Sequence, residues 1–180
     1  MKSTASTGGR IVLYVKRLLL RELTTDDIDD LYAILGDPET MRFYPEPKTR
    51  QGTADWIAWC RRSYERHGFG LWAMILEENG EFAGDCGLTV QNVDGEDLVE
   101  VGYHVKRSLW RQGLATEAAA ACRDYAFDAC GLDRLIALVR VENEPSAGVA
   151  RNLGMTVWKE TMRAGYRHLV FSVRAADLRP

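Results

Sequence analysis

Apolar positions recur along this chain with two periods, and the switch between them divides it. Residues 18–23, LLLREL, form a short apolar run that predicts a first strand. In TTDDIDDLYAIL, residues 24–35, Ile28, Leu31, Tyr32 and Leu35 fall three and four apart. Thr24 or Thr25 is available as a cap and acids fill the first turn, so a helix is predicted. GDPETMRFYPEP, residues 36–47, carries three prolines and breaks that pattern. A second helix is expected over TADWIAWCRRSYERHG, where Trp56, Trp59, Cys60 and Tyr64 return at helical spacing and Gly68 closes it.

The period then shortens. LWAMIL at 71–76, FAGDCGLTV at 82–90 and LVEVGYHV at 98–105 read as three strands, the first two joined by a Glu-Asn-Gly turn. A helix starting near Gly113 lines up Leu114, Ala118, Cys122, Tyr125 and Ala129 and ends at Gly131. RLIALVRV at 134–141 is strand-like. PSAGVARNLG at 145–154 predicts a short helix, with Pro145 in its first turn and Gly154 past its end. MTVWKE and HLVFSVRA supply two last strands. The expected organisation is a flexible tail over residues 1–10, then one mixed α/β domain over 11–180, without repeat or linker.

Composition narrows this picture only modestly. The 180 residues suffice for one domain with a sizeable core, and 46% apolar with 27% charged is ordinary. A net charge of −3 supplies no general drive towards nucleic acid or acidic membrane. Cys60, Cys86, Cys122 and Cys130 form no close pair in sequence and no metal-ligand spacing, so buried reduced thiols and no metal site are expected. No apolar run has membrane-spanning length, and IVLYVKRLLLREL is interrupted by Lys16, Arg17 and Arg21. The cytoplasm is the expected compartment, with no membrane or nucleic-acid partner.

The chemistry concentrates in WRQGLATEAAAAC, residues 110–122. The first turn of a helix has N–H groups without intrahelical partners. Gly113 removes a side chain there and Ala115 adds little bulk, so a pyrophosphate can approach the backbone, aided by the helix field and by Arg111 at the rim. Ordinary packing is the competing account of such a Gly-x-Ala. Neither GxxxxGK[ST] nor GxGxxG is present, so the phosphate loop of a nucleoside-triphosphatase and a dinucleotide fold are excluded.

Taken in order, RLLLREL, GDPETMRFYP, GLWAMI, FAGDCGL, VEVGYHV, WRQGLATEA and NEPSAGVARNLGM resemble the GCN5-related N-acetyltransferase (GNAT) superfamily over roughly residues 17–174. The style is similar to the branch containing ribosomal-protein alanine and serine N-acetyltransferases. The resemblance implies a mixed, mostly antiparallel sheet, splayed at an acyl-CoA site and flanked by helices. It assigns the acyl-CoA pyrophosphate to Arg111, Gln112, Gly113, Leu114 and Ala115, with Thr116 just inside the helix. Trp110 stands where the family usually has Gln or Arg. Asn143 and Ser146 match a downstream Asn-x-x-Ser element that flanks the pantetheine arm, although Asn-x-x-Ser before a helix is also plain capping chemistry. The resemblance also implies acetyl-CoA as co-substrate and a homodimer.

Acyl transfer to an amine needs a base, an oxyanion donor and proton delivery to the leaving thiolate. Glu100 interrupts the apolar strand LVEVGYHV and shares a face with Leu98, Gly102 and His104, while Val99, Val101, Tyr103 and Val105 take the other. It is the candidate base, against a structural ion pair. Ser146 is the candidate on the thiolate side, because no tyrosine follows it where many superfamily members have one. His104 is a second candidate shuttle, and His168 a cleft-border residue. Tyr103 and Cys86 are expected in the core. Trp56 and Trp59 are expected in core or cleft wall, and Arg42, Phe43 and Tyr44 near the acceptor.

Three functions compete at this level. The first is an acyl-CoA-dependent N-acyltransferase acting by direct attack in a ternary complex on a protein N-terminal or small-molecule amine. The second is a noncatalytic acyl-CoA-binding regulatory module, and the third a packed interaction domain.

Overall fold

The computed structural model describes residues 8–178, so most of the expected tail lies outside the described residues. A strand precedes the first one expected: β1, Ile11–Tyr14, pairs antiparallel with β2, Leu18–Glu22. Its four residues are half-exposed to exposed, so neither period marks them; they are a strand because β2 offers a free edge. Arg10, the last residue of the expected tail, accepts from the Glu22 N–H at 2.8 Å and pairs with the Glu22 carboxylate.

β2 is fastened to the next element by a buried fork. Arg21 Nη1 and Nη2 reach the two Asp27 carboxylate oxygens at 2.8 and 2.7 Å, and the Thr24 N–H donates to Asp27 at 2.7 Å. Burial alone would raise the Asp27 pKa, but Arg21 and Thr24 hold it below the usual aspartate value. This fixes the start of α1, Ile28–Leu35, and with it the segment of residues 36–49 that overhangs the site. The second helix, α2, runs Arg50–His67, three residues earlier than expected. Thr49 caps it, accepting the Gly52 N–H at 3.0 Å; the polar Arg50-Gln51-Gly52 turn carries no apolar signal.

The sheet continues through β3, Leu71–Leu76, β4, Phe82–Val93, and β5, Glu96–Val105. After it come α3, Leu114–Asp128, β6, Arg134–Arg140, α4, Glu144–Asn152, β7, Thr156–Arg163, β8, Tyr166–Arg174, and a last turn α5, Ala175–Leu178. β4 and β5 run longer than expected because they meet in a tight Asp94–Gly95 hairpin.

All eight strands lie in one sheet, ordered β1-β2-β3-β4-β5-β6-β8-β7. Every neighbouring pair is antiparallel except β5 and β6, which are parallel because α3 crosses over between them. β4 and β5 share ten registered pairs, whereas β5 and β6 share one, Glu100 with Ile136. The sheet is therefore two ladders joined at a single point, mixed, mostly antiparallel and open between its central strands.

Alternation along the strands sorts the core onto two faces. Leu71 and Ala73 pack with Leu31, Leu35, Ile57 and Cys60 of α1 and α2, while Trp72 and Met74 pack with Leu114, Ala118 and Cys122 of α3. This packing creates a cysteine pair invisible in the spacing: Cys86 and Cys122 are fully buried thiols 3.7 Å apart.

Arg21→Ala is expected to lower the unfolding free energy by about 3–5 kcal/mol, because it leaves Asp27 buried and unpaired. Urea unfolding at pH 7 measures it; a loss under about 1 kcal/mol contradicts the fork's role. Since the folded Asp27 pKa is depressed, its contribution is full above the unfolded aspartate value and fades as pH falls.

Candidate active site

The turn into α3 is clamped from both sides. Trp110 Nε1 donates to the Val105 carbonyl at 2.7 Å, tying the loop back to the end of β5. Arg17 Nη2 donates to the Gln112 carbonyl at 3.0 Å, and Arg17 Nε reaches Glu117 of α3 at 2.7 Å. Trp110 thus replaces the basic or amide residue of the resembling pattern with a loop anchor. Gly113 caps the helix at φ 78°, where a side chain is strained, and no side chain caps it. A Cβ there would meet only Arg17 Nη2, at 3.6 Å, so the space above the backbone is open. The first bond of the helix runs from the Glu117 N–H to the Gly113 carbonyl at 3.0 Å, which leaves the amides of Leu114, Ala115 and Thr116 ahead of it. Arg111, Gly113, Leu114, Ala115 and Thr116 line a cavity of ≈ 780 Å³; Gln112 does not, its carbonyl being held by Arg17.

A second, smaller cavity of ≈ 270 Å³ occupies the split between β5 and β6. Glu100 sits in it, half-buried. The Leu138 N–H of β6 donates to Glu100 Oε1 at 3.2 Å, so this side chain replaces a missing backbone bond across the opening. Thr89 Oγ1 donates to Oε2 at 3.3 Å, Gln91 Nε2 donates to Thr89 Oγ1 at 3.1 Å, and Arg163 Nη2 donates to Gln91 Oε1 at 2.8 Å. Burial raises the Glu100 pKa above the ordinary glutamate value; the Leu138 N–H, the positive Arg163 and Thr89 partly offset it. Among the described residues Glu100 is the only acid lining this cavity, which also has Arg140 and Arg163 on its wall. His168 borders it as expected, and burial pulls its imidazole pKa down.

Six residues line both cavities and so mark their junction: Phe43, Tyr44, Tyr103, His104, Asn143 and Ser146. Asn143 caps α4, its Oδ1 accepting the Ser146 N–H at 3.2 Å. The capping account of Asn-x-x-Ser therefore holds, while the same two side chains also border the opening. Tyr103 refines an expectation. It alternates away from Glu100 as predicted and packs against the main core, but it also borders the split, and its hydroxyl donates to the Ser146 carbonyl at 3.1 Å. Strand period gives a residue's face but not its nearness to an open edge. A third element was not legible: Asp85 of β4, fully buried, meets His104 Nδ1 at 2.7 Å, and Trp56 Nε1 donates to its other oxygen at 3.3 Å. Asp85 stands opposite His104 in the β4–β5 register, which sequence alone does not supply.

Among the described residues no group of three or more His, Cys, Asp or Glu side chains is placed to hold a metal, and no helix is long and apolar enough to cross a membrane.

A sheet split beside an uncapped helix start, with a carboxylate inside the split, places backbone donors and a carboxylate around one opening. Residues 17–156 match the acetyltransferase (GNAT) domain family, and the chain belongs to that family. It is 34% identical over 144 residues to the uncharacterized protein YkkB of Bacillus subtilis (strain 168), covering 79% of this chain and 84% of that protein. Among solved structures, an acetyltransferase from Agrobacterium tumefaciens str. C58 superposes with a TM-score of 0.79 at 27% identity, covering 90% of this chain and 93% of that one. A ribosomal L7/L12 alpha-N-protein acetyltransferase in complex with coenzyme A superposes at 0.75 with 17% identity, covering 92% of this chain and 98% of the other, a likeness of fold. The family's general activity is acetyl transfer from acetyl-CoA to an amine.

Glu100→Gln keeps an acceptor for the Leu138 N–H and is expected to leave stability within about 1 kcal/mol, whereas Glu100→Ala is expected to cost about 1–3 kcal/mol by orphaning it. Thermal or urea unfolding of both variants separates them; equal losses contradict the bridging role.

Proposed function

We propose that this protein transfers the acetyl group of acetyl-CoA to a primary amine by direct attack in a ternary complex. The observation that carries this reading is the single-point contact between β5 and β6, open beside the free amides of Leu114, Ala115 and Thr116. In it, those amides and Arg111 hold the pyrophosphate, where the helix field favours negative charge. The amide-bearing arm pairs along the open edge of β5, as an added strand would. Asn143 and Ser146 flank its thiol end at the junction, and the amine enters from the smaller cavity. Glu100 accepts a proton from the amine through water, with a basicity that its burial raises. No enzyme-bound acyl intermediate is required once both substrates are aligned.

The acceptor is best matched by an amine that carries a nearby carboxylate. Among the described residues Arg163 makes no ion pair, donating to the Asn92 carbonyl and the Gln91 amide oxygen, whereas Arg140 on the same wall is paired with Glu142 at 3.2 Å. The unpaired Arg163 guanidinium favours a carboxylate there over a second ammonium group. An α-amino acid or an acidic peptide N-terminus fits, and a polyamine does not.

Acetyl-CoA turnover against a mixed amine panel, read by product mass, tests the reading. Acetylated carboxylate-bearing amines are expected, with polyamines slower by at least about tenfold in kcat/KM; polyamine preference contradicts the acceptor assignment. Gly113→Asp is expected to weaken CoA binding at least about 100-fold by bulk and like charge, roughly 3 kcal/mol by calorimetry. Turnover is expected to fall as pH drops through a value above the ordinary glutamate pKa of about 4.3. Glu100→Gln should bind CoA normally, turn over slowly and lack that acidic limb; an unchanged profile removes Glu100 as the base.

A further inference from the structure

Among the described residues two buried side-chain polar atoms have no hydrogen-bond partner, Trp72 Nε1 and His104 Nε2. Trp72 lies in the core beneath α3, whereas His104 lies at the junction of the two cavities. An unmade buried hydrogen bond costs about 1–3 kcal/mol, and of the two only His104 Nε2 belongs to a residue lining both cavities. The ring is held by its neighbours. Asp85, with no exposed surface, meets Nδ1 at 2.7 Å and is itself bonded by Trp56. The Tyr44 and Trp56 rings pack against it at 5.2 and 6.2 Å. On the neighbouring strand, a Cβ at Gly84 would fall 2.0 Å from the His104 carbonyl, so β4 grips the strand there as only glycine permits. A carboxylate only accepts, so Nδ1 carries a proton, and Nε2 is the ring nitrogen left without a partner.

Acetylating an alkylammonium moves two protons, and Glu100 accounts for one. Glu100 lies four residues from His104, about 13 Å along the strand, so each holds a proton of its own. We infer that His104, oriented by Asp85, carries the second proton from the amine nitrogen to the sulfur of coenzyme A. This rests on the acyl-transfer reading above and completes it. The ammonium first gives one proton to Glu100 through water. The neutral nitrogen attacks the thioester carbon and the N–C bond forms. The nitrogen, now positive, passes its surplus proton to His104 Nε2. As the C–S bond breaks, Nε2–H returns that proton to the departing sulfur. Amide and neutral thiol remain, and the imidazole is restored. His104 is then a catalytic residue and Asp85 a positioning residue. The absence of a tyrosine after Ser146 follows, because the thiolate already has its donor.

The test uses the full chain with coenzyme A as the probe. Calorimetry measures binding, while nitrogen-15 NMR of the histidine rings reads His104 directly. In the free protein His104 is expected as the Nδ1–H tautomer. Coenzyme A should move its Nε2 resonance and leave His67 unmoved. Asp85→Asn should scramble the tautomer with the Kd for coenzyme A within about threefold of the parent. His104→Gln should keep that Kd but lower turnover about 10²–10⁴-fold. Should either variant fail to fold, the NMR of the parent chain decides alone. Binding of coenzyme A with an unmoved Nε2, or near-parental turnover of His104→Gln, overturns the shuttle and leaves the acyl-transfer reading standing. No binding at millimolar coenzyme A overturns both.

Discussion

The site depends on a break in a hydrogen-bond ladder. Among the described residues β5 and β6 are the only parallel neighbours in the sheet, and they are registered at one residue pair. A β5 edge that opens after Glu100 has backbone groups to offer, and a sheet cannot leave such groups unpaired in its middle without cost. The chain holds the break open with a side chain: Glu100 takes the Leu138 N–H and keeps the two ladders at a fixed separation. The carboxylate assigned to the chemistry is the same one that spans the gap.

The surrounding structure keeps that gap from closing or collapsing. β4 pairs with all ten residues of β5, so β5 cannot drift towards β6. On the other side β6 is held by β8 over seven registered pairs. The α3 crossover sets the distance between the halves and brings its uncapped first turn to the mouth of the opening. Arg17 and Trp110 hold that turn in place without covering its amides. The segment between α1 and α2, anchored through the Arg21–Asp27 fork, lays Phe43 and Tyr44 over the junction.

Much of this was legible in the sequence where one element carries its own signal. The β3 run LWAMIL is bounded as read, and the α3 stripe through Leu114, Ala118 and Cys122 and the shared face of Glu100 and His104 follow from period alone, whereas Ala129 is exposed past the helix end and Ala126 and Phe127 are buried instead. What escaped depends on two elements meeting. β1 is a strand only because β2 is beside it, Cys86 meets Cys122 only through sheet–helix packing, and Asp85 reaches His104 only through the β4–β5 register. Tyr103 was assigned its correct face and core contact but not its place at the split, since no periodicity tells where a sheet parts. The buried, partnerless Nε2 of His104 is likewise a property of the folded chain alone.

Amide hydrogen exchange, with and without saturating coenzyme A, tests the central claim most directly. Slowed exchange at Leu114, Ala115 and Thr116 together with the open edge of β5 from Gly102 to Val105, and little change along β7, is the predicted result. Coenzyme A bound with those amides exchanging as before would contradict the account.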